Sequence, residues 1–129
     1  MFILNTDKLL AGDVVLTMQE AVVSKAVRKA TSSPFSHALL YVGDHSCIHS
    51  DTDGVHSGNT QRLLFAERDR AKVFRLAQHE PLVVENVCTF ARTQIGKQYS
   101  APEAAQVDDS TNESSTGCFQ SPVLFPACC

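Results

Sequence analysis

The stretch Ser36-His37-Ala38-Leu39-Leu40-Tyr41-Val42-Gly43-Asp44-His45-Ser46-Cys47-Ile48-His49 limits what this chain can fold into more than any other part of it. An apolar run is followed by a turn signal and then by a second short run that ends on a histidine. The pattern predicts two strands, roughly Ser36–Val42 and Ser46–His49, with Gly43-Asp44-His45 as a three-residue hairpin loop. Side chains alternate faces along a strand, so His37, Leu39 and Tyr41 share one side. With that loop Val42 opposes Ser46 and Leu39 opposes His49. His49 is then the diagonal same-face neighbour of His37, a separation that long side chains bridge. A four-residue loop through Ser46 would turn His49 to the opposite face, because a one-residue slip inverts a strand. Everything inferred about the two histidines therefore depends on register.

The flanking sequence supplies partners for that hairpin. Phe2 to Leu10 is short and mixed, and Ala11-Gly12-Asp13 punctuates before Val14-Val15-Leu16-Thr17, which reads as a buried strand. An apolar stripe of Val22, Val23, Ala26, Val27 and Ala30 predicts a helix from about Gln19 to Lys29, ended by Thr31-Ser32-Ser33-Pro34. Asp51 to Asn59 is rich in Asp, Ser, Gly and Thr and is expected to be loop. Leu63-Leu64-Phe65 is a short apolar patch, and Val73-Phe74-Arg75-Leu76 reads as another strand. Glu80-Pro81 opens a helix with apolar spacing at Leu82, Val83, Val87, Phe90 and Ile95, stopped by Gly96. Ala101–Thr116 is poor in apolar residues and acidic, the pattern of a mobile or partly disordered loop. Strands and helices are partly segregated, which predicts an α+β fold with a mostly antiparallel sheet packed on helices. A length of 129 residues fits a single domain spanning 1–129.

Bulk properties exclude several classes. A net charge of −3 offers no basic surface for neutralising phosphates, so nucleic acid is not an expected partner. No apolar run reaches the ~18 residues of a membrane span. The opening Met1-Phe2-Ile3-Leu4-Asn5 lacks the basic n-region of a signal peptide, so the expected site of synthesis is the cytoplasm, with export only by a signal-independent route. The five cysteines, Cys47, Cys88, Cys118, Cys128 and Cys129, show no CxxC spacing and are expected to be reduced thiols. Cys47 and Cys88 lie in apolar segments and are expected to pack in the core.

The chemistry this chain offers is that of a thiol. A thiol is a weak nucleophile until a neutral imidazole within hydrogen-bond reach removes its proton and a second polar group orients that imidazole. His37, His49 and Cys118 are the candidates. Cys118 follows Gly117 and the hydroxyl-bearing Ser114-Ser115-Thr116, which suits a helix N-cap, where the dipole would lower the thiol pKa. Pro122 would allow only a short helix there. Asp51 or Asp53 is an alternative to His49 as the orienting group. A zinc cluster of His45, Cys47, His49 and His56 is disfavoured because the spacing fits no compact site, so no metal or other cofactor is expected.

Several of these segments together resemble a known family. Gly12-Asp13-Val14-Val15, Ser33-Pro34-Phe35-Ser36-His37 leading into Ala38–Gly43, Gly54-Val55, Val73–Leu76, Gly96-Lys97-Gln98-Tyr99 and Cys118 resemble the circularly permuted NlpC/P60 papain-like hydrolases, in particular the YiiX/YebB-like bacterial branch. The His37–His49 spacing is similar to that of the lecithin:retinol acyltransferase relatives. The resemblance covers nearly the whole chain. It implies a papain-like fold, Cys118 as nucleophile, His37 as general base and His49 as the third member, without a metal. It further implies hydrolysis of an amide, peptide or acyl bond, with peptidoglycan peptides first and lipid esters or N-acyl groups next. A cell-wall-directed bacterial effector toxin, with an immunity or secretion partner, fits the same resemblance. Two features depart from the pattern: Cys118-Phe119-Gln120-Ser121-Pro122 replaces the usual small polar residue and unbroken helix, and only eleven residues follow the cysteine. An acyltransferase using the same triad and a non-catalytic binding module are the alternative readings.

Overall fold

The computed structural model describes residues 1–18, 29 and 32–98, together with the backbone of 116–118 and 124–126. The helix expected over 19–29 lies, Lys29 apart, outside the described residues, as does most of the acidic segment 101–116.

Chain order runs β1 (Phe2–Leu4), β2 (Val14–Thr17), β3 (His37–Gly43), β4 (Ser46–Asp51), β5 (Gly54–Asn59), β6 (Leu64–Phe65) and β7 (Ala71–Leu76), then helix α1 (Pro81–Thr93), β8 (Thr116–Cys118) and β9 (Leu124–Pro126). Six strands form one sheet in the order β5-β4-β3-β2-β7-β8, and β6-β1-β9 form a second. Every described pairing is antiparallel, so the mixed α and β content with an antiparallel sheet stands as the sequence predicts. No described helix is long and apolar enough to cross a membrane.

The sequence explains the centre of the large sheet. Val15, Leu39 and Val73 come from three neighbouring strands, are almost fully buried, and pack with Tyr41 and Cys47. Leu4 and Phe65 of the second sheet close the same core. Asp13 fastens one end of these strands. Its carboxylate, with no exposed surface, accepts from Arg75 Nε and Nη2 at 2.7 Å each and from the Leu10 amide at 2.8 Å. Its backbone carbonyl accepts from the Tyr41 amide at 2.8 Å.

The central hairpin reaches its expected register by a different route. Leu39 faces His49, as the three-residue loop predicts, but Gly43 faces Ser46, so the turn itself has two residues and the ladder shifts between Tyr41 and Gly43. Asp44 and His45 both have positive φ, 50° and 57°, as a tight hairpin turn of primed type requires. The extra residue is absorbed as a bulge at Val42. Thr60, fully buried, holds the turn: its amide and its Oγ1 both donate to the His45 carbonyl, at 2.8 and 3.0 Å.

Two expectations need correction. Asp51–Asn59 is not loop: Gly54–Asn59 forms edge strand β5, paired residue for residue with β4. Its composition is polar because an edge strand turns much of its surface to water, and cross-strand hydrogen bonds outweigh its weak intrinsic propensity. The second correction concerns α1, which starts with proline at its first turn as expected. It buries Val84 and Cys88, whereas Leu82, Val83, Val87, Phe90 and Ile95 of the expected stripe are exposed. After α1, the Lys97 carbonyl accepts from the Val55 amide and the Gly96 amide donates to the Val55 carbonyl, both at 2.8 Å. These bonds tie the helix exit to β5.

Candidate functional site

Three adjacent strands bring the histidines together. On β3, His37 begins the strand and pairs with Thr17 of β2. On β4, His49 stands opposite Leu39 and, on its other side, opposite His56 of β5. The diagonal relation between His37 and His49 is therefore realised, and Nε2 of His37 lies 3.1 Å from Nδ1 of His49. Their rings meet edge to face, with centroids 5.1 Å apart and planes at 88°. The His49 ring lies against Gly58, where an added Cβ would stand only 3.2 Å from Nε2. A side chain at that position would require the ring to shift by a few tenths of an ångström.

Asp51 completes the cluster at the end of β4. Its Oδ2 is 3.8 Å from His49 Nδ1 and 2.9 Å from His56 Nε2. Its Oδ1 accepts from the Asp53 amide at 2.9 Å, which fixes the carboxylate in the β4–β5 turn. Of the two aspartates proposed as alternative orienting groups, Asp51 thus stands beside His49, while Asp53 serves the turn through its backbone. His56 was not among the expected catalytic residues. Its region read as loop, and only the cross-strand pairing with His49 reveals its place, with ring centroids 4.1 Å apart.

The electrostatics keep the two inner rings neutral. Burial, reinforced by the neighbouring His49 and His56 rings, lowers the His37 pKa below its ordinary 6.5, while Asp51 pulls it the other way. For His49, burial again dominates, His56 adds to the lowering, and Asp51 opposes both. A neutral imidazole with a free lone pair is the form a general base needs. Beside the pair lies a cleft of about 150 Å³, lined by Thr17, Met18, His37, Leu39, His49 and the 63–65 segment. It is smaller than the ~300 Å³ at which drug-sized ligand pockets begin, so it suits one small group of a substrate.

The cysteines divide. Cys47 and Cys88 are both buried free thiols, as expected. Burial pushes the Cys47 thiol up, and its Sγ donates to the Gly58 carbonyl at 3.5 Å, which makes it a core residue rather than a nucleophile. The backbone at Cys118 differs from the expected helix N-terminus: it lies in β8, opposite Phe74 of β7. Phe74 in turn faces Val14, which faces Leu40. Cys118 is thus three strands away from β3 and three residues along from His37. At ~4.8 Å per strand and ~3.4 Å per residue, that is roughly 18 Å between Cα atoms along a flat sheet. The described backbone brings His37 and His49 together and does not bring Cys118 to them. Cys128 and Cys129 lie outside the described residues.

Of the four residues of the disfavoured zinc cluster, His45 occupies the hairpin turn and Cys47 the core, so that foursome does not assemble. No protein-family model matches the chain, and no curated protein matches its sequence.

Proposed function

We propose that this chain is a hydrolase of amide or acyl bonds in which His37 is the general base and His49 orients it. The observation that carries the reading is the 3.1 Å contact from His37 Nε2 to His49 Nδ1 at the edge of a cleft. If Nε2 of His37 carries the proton of that hydrogen bond, Nδ1 keeps a lone pair for the nucleophile's proton. Once Nδ1 is protonated, the imidazolium donates through Nε2 to His49. The Asp51 carboxylate, 3.8 Å from the same His49 nitrogen, favours the charged state. The apolar side chains of Leu39, Leu63 and Phe65 along the cleft suit an acyl chain or an apolar side chain next to the scissile carbonyl. Peptidoglycan peptides and lipid esters are the substrate classes that the sequence resemblance nominates.

The permuted papain-like arrangement belongs to the same proposal. It is supported by the antiparallel sheet, by the base histidine at the start of a central strand, and by the histidine-first, cysteine-last order of the chain. That arrangement nominates Cys118 as nucleophile, attacking the carbonyl to form an acyl-enzyme that water resolves, and it requires Cys118 to come closer to His37 than its pairing in β8 places it. A second reading is favoured by the β8 register: His37 activates a water molecule in the cleft, and no covalent intermediate forms.

Intact-mass analysis after iodoacetamide treatment at mildly acidic pH, run alongside ester and peptide hydrolysis assays, separates these readings. Selective labelling of Cys118 that disappears in His37→Ala supports the thiol route. Hydrolysis that survives Cys118→Ser and is lost in His37→Ala supports the water route. Equal, slow labelling of all five cysteines with no hydrolysis removes both and leaves a non-catalytic binding module.

A further inference from the structure

The β4–β5 hairpin carries more donors than a proton relay uses. We propose that His49, Asp51 and His56 form a binding site for a divalent transition-metal ion of the zinc class. Nδ1 of His49, Oδ2 of Asp51 and Nε2 of His56 all lie within 4.8 Å of one another. In four-coordinate zinc sites, bonds of ~2.0–2.1 Å give donor–donor edges of roughly 3.3 Å. Two of the three edges bracket that value, 2.9 Å from His56 to Asp51 and 3.8 Å from His49 to Asp51, and the third, between the two imidazoles, is within 4.8 Å. Closing on an ion requires the two imidazoles to draw together by up to about 1.5 Å, a shift that side-chain rotation supplies.

The scaffold is suited to such a site. His49 and His56 are direct cross-strand partners, so their spacing is set by the ladder. Asp51 sits where the two strands join, with its other oxygen already held by the Asp53 amide. The three side chains are partly exposed, at 15, 36 and 38%, so an ion can reach them from solvent. Two imidazole nitrogens and one carboxylate oxygen favour Zn²⁺, Co²⁺ or Ni²⁺ over Ca²⁺ or Mg²⁺, which demand more oxygen ligands. The fourth position falls to water or to His37 Nε2, which stands 3.1 Å from the His49 donor atom.

One consequence follows from atom usage. Nδ1 of His49 has a single lone pair, and the hydrogen bond to His37 and a metal both need it. Metal binding at His49 therefore displaces the His37 contact. The site itself does not depend on any reaction; its inhibitory effect rests on His37 being the base proposed above.

The test uses the full reduced chain titrated with ZnCl₂ by calorimetry and with CoCl₂ by absorption spectroscopy. One ion per chain is expected, with a Co²⁺ spectrum free of thiolate charge-transfer bands and a rise in melting temperature on binding. Loss of a ligand in His56→Gln or Asp51→Asn is expected to weaken binding more than about tenfold. Unchanged affinity in both variants, or thiolate bands showing that the cysteines hold the ion, overturns the site. Should His56→Gln fail to fold, Asp51→Asn and the Co²⁺ spectrum of the unaltered chain decide. Zinc that binds with the expected ligands but leaves hydrolysis unchanged would overturn only the link to His37.

Discussion

Two polar clusters sit on the same sheet and behave in opposite ways. At one end of β2, Asp13 is sealed from solvent and Arg75 meets it through two nitrogens, with the Leu10 amide and the Lys8 carbonyl completing the arrangement. Opposite charges are matched there, and the hydrogen bonding raises the Arg75 pKa further, so the guanidinium keeps its charge. Across β3 to β5, three imidazoles crowd around a single carboxylate. Burial and mutual proximity lower the His37 and His49 pKa values, so these rings are held neutral beside a cleft. A matched pair fixes strands in place. A cluster with more donors and lone pairs than partners is left with capacity for chemistry.

That contrast can be broken in either half. The largest expected effect is on rate: His37→Ala should lower hydrolysis by about 10²–10⁴-fold, the usual share of a general base. Its urea midpoint should move far less than that of the variant that follows, and a rate unaffected by the substitution would return the histidine cluster to a structural role. Asp13→Ala should cost about 3–5 kcal/mol in urea denaturation, because it removes the buried carboxylate that accepts three hydrogen bonds, two of them from Arg75. A loss below ~1 kcal/mol would show that the matched cluster does not hold the strands.

Smaller effects sharpen the picture. Gly54 has φ of +98°, and a Cβ there would stand 2.6 Å from the Lys97 carbonyl oxygen. Gly54→Ala should therefore destabilise by about 1–3 kcal/mol and loosen the turn that positions Asp51 and His56, read by denaturation and by the zinc affinity of the variant. The smallest effect is on pH. With a chelator present, the unfolded chain takes up protons on His37 and His49 at their ordinary 6.5, while the native rings resist protonation to lower pH. The unfolded state then binds more protons, so this contribution to stability is complete above pH 6.5 and is lost as pH falls through the native values. A decline of no more than about 1 kcal/mol per pH unit is expected, partly screened by solvent. His37→Gln should flatten it, and a slope unchanged by that substitution would remove His37 as its source.

Much of the fold is legible in local sequence because the pattern is local. The β-branched apolar run at 14–17, the apolar segment 73–76, the turn residues at Gly43-Asp44 and the proline before Leu82 each report a conformation that neighbours in the chain determine. The His37–His49 relation was legible too, because a hairpin converts spacing along the chain into proximity, although the turn proved to be two residues and a bulge rather than three. β5 was not legible. Its residues, Gly54-Val55-His56-Ser57-Gly58-Asn59, have a weak propensity for a strand, and the open edge of β4 recruits them.

What the amino-acid sequence determined by itself is a weakly acidic chain with a hairpin that sets two histidines on one face and an aspartate just beyond. Tertiary structure decided which other groups join them. It brought His56 to His49 across a strand that composition hides, chose Asp51 over Asp53 as the neighbouring carboxylate, and paired Cys118 with Phe74 instead of delivering it to His37. The physical reason is range. A hairpin contact spans a dozen residues and follows from alternation, whereas the place of Cys118 depends on the pairing of segments far apart in the chain, which no local pattern encodes.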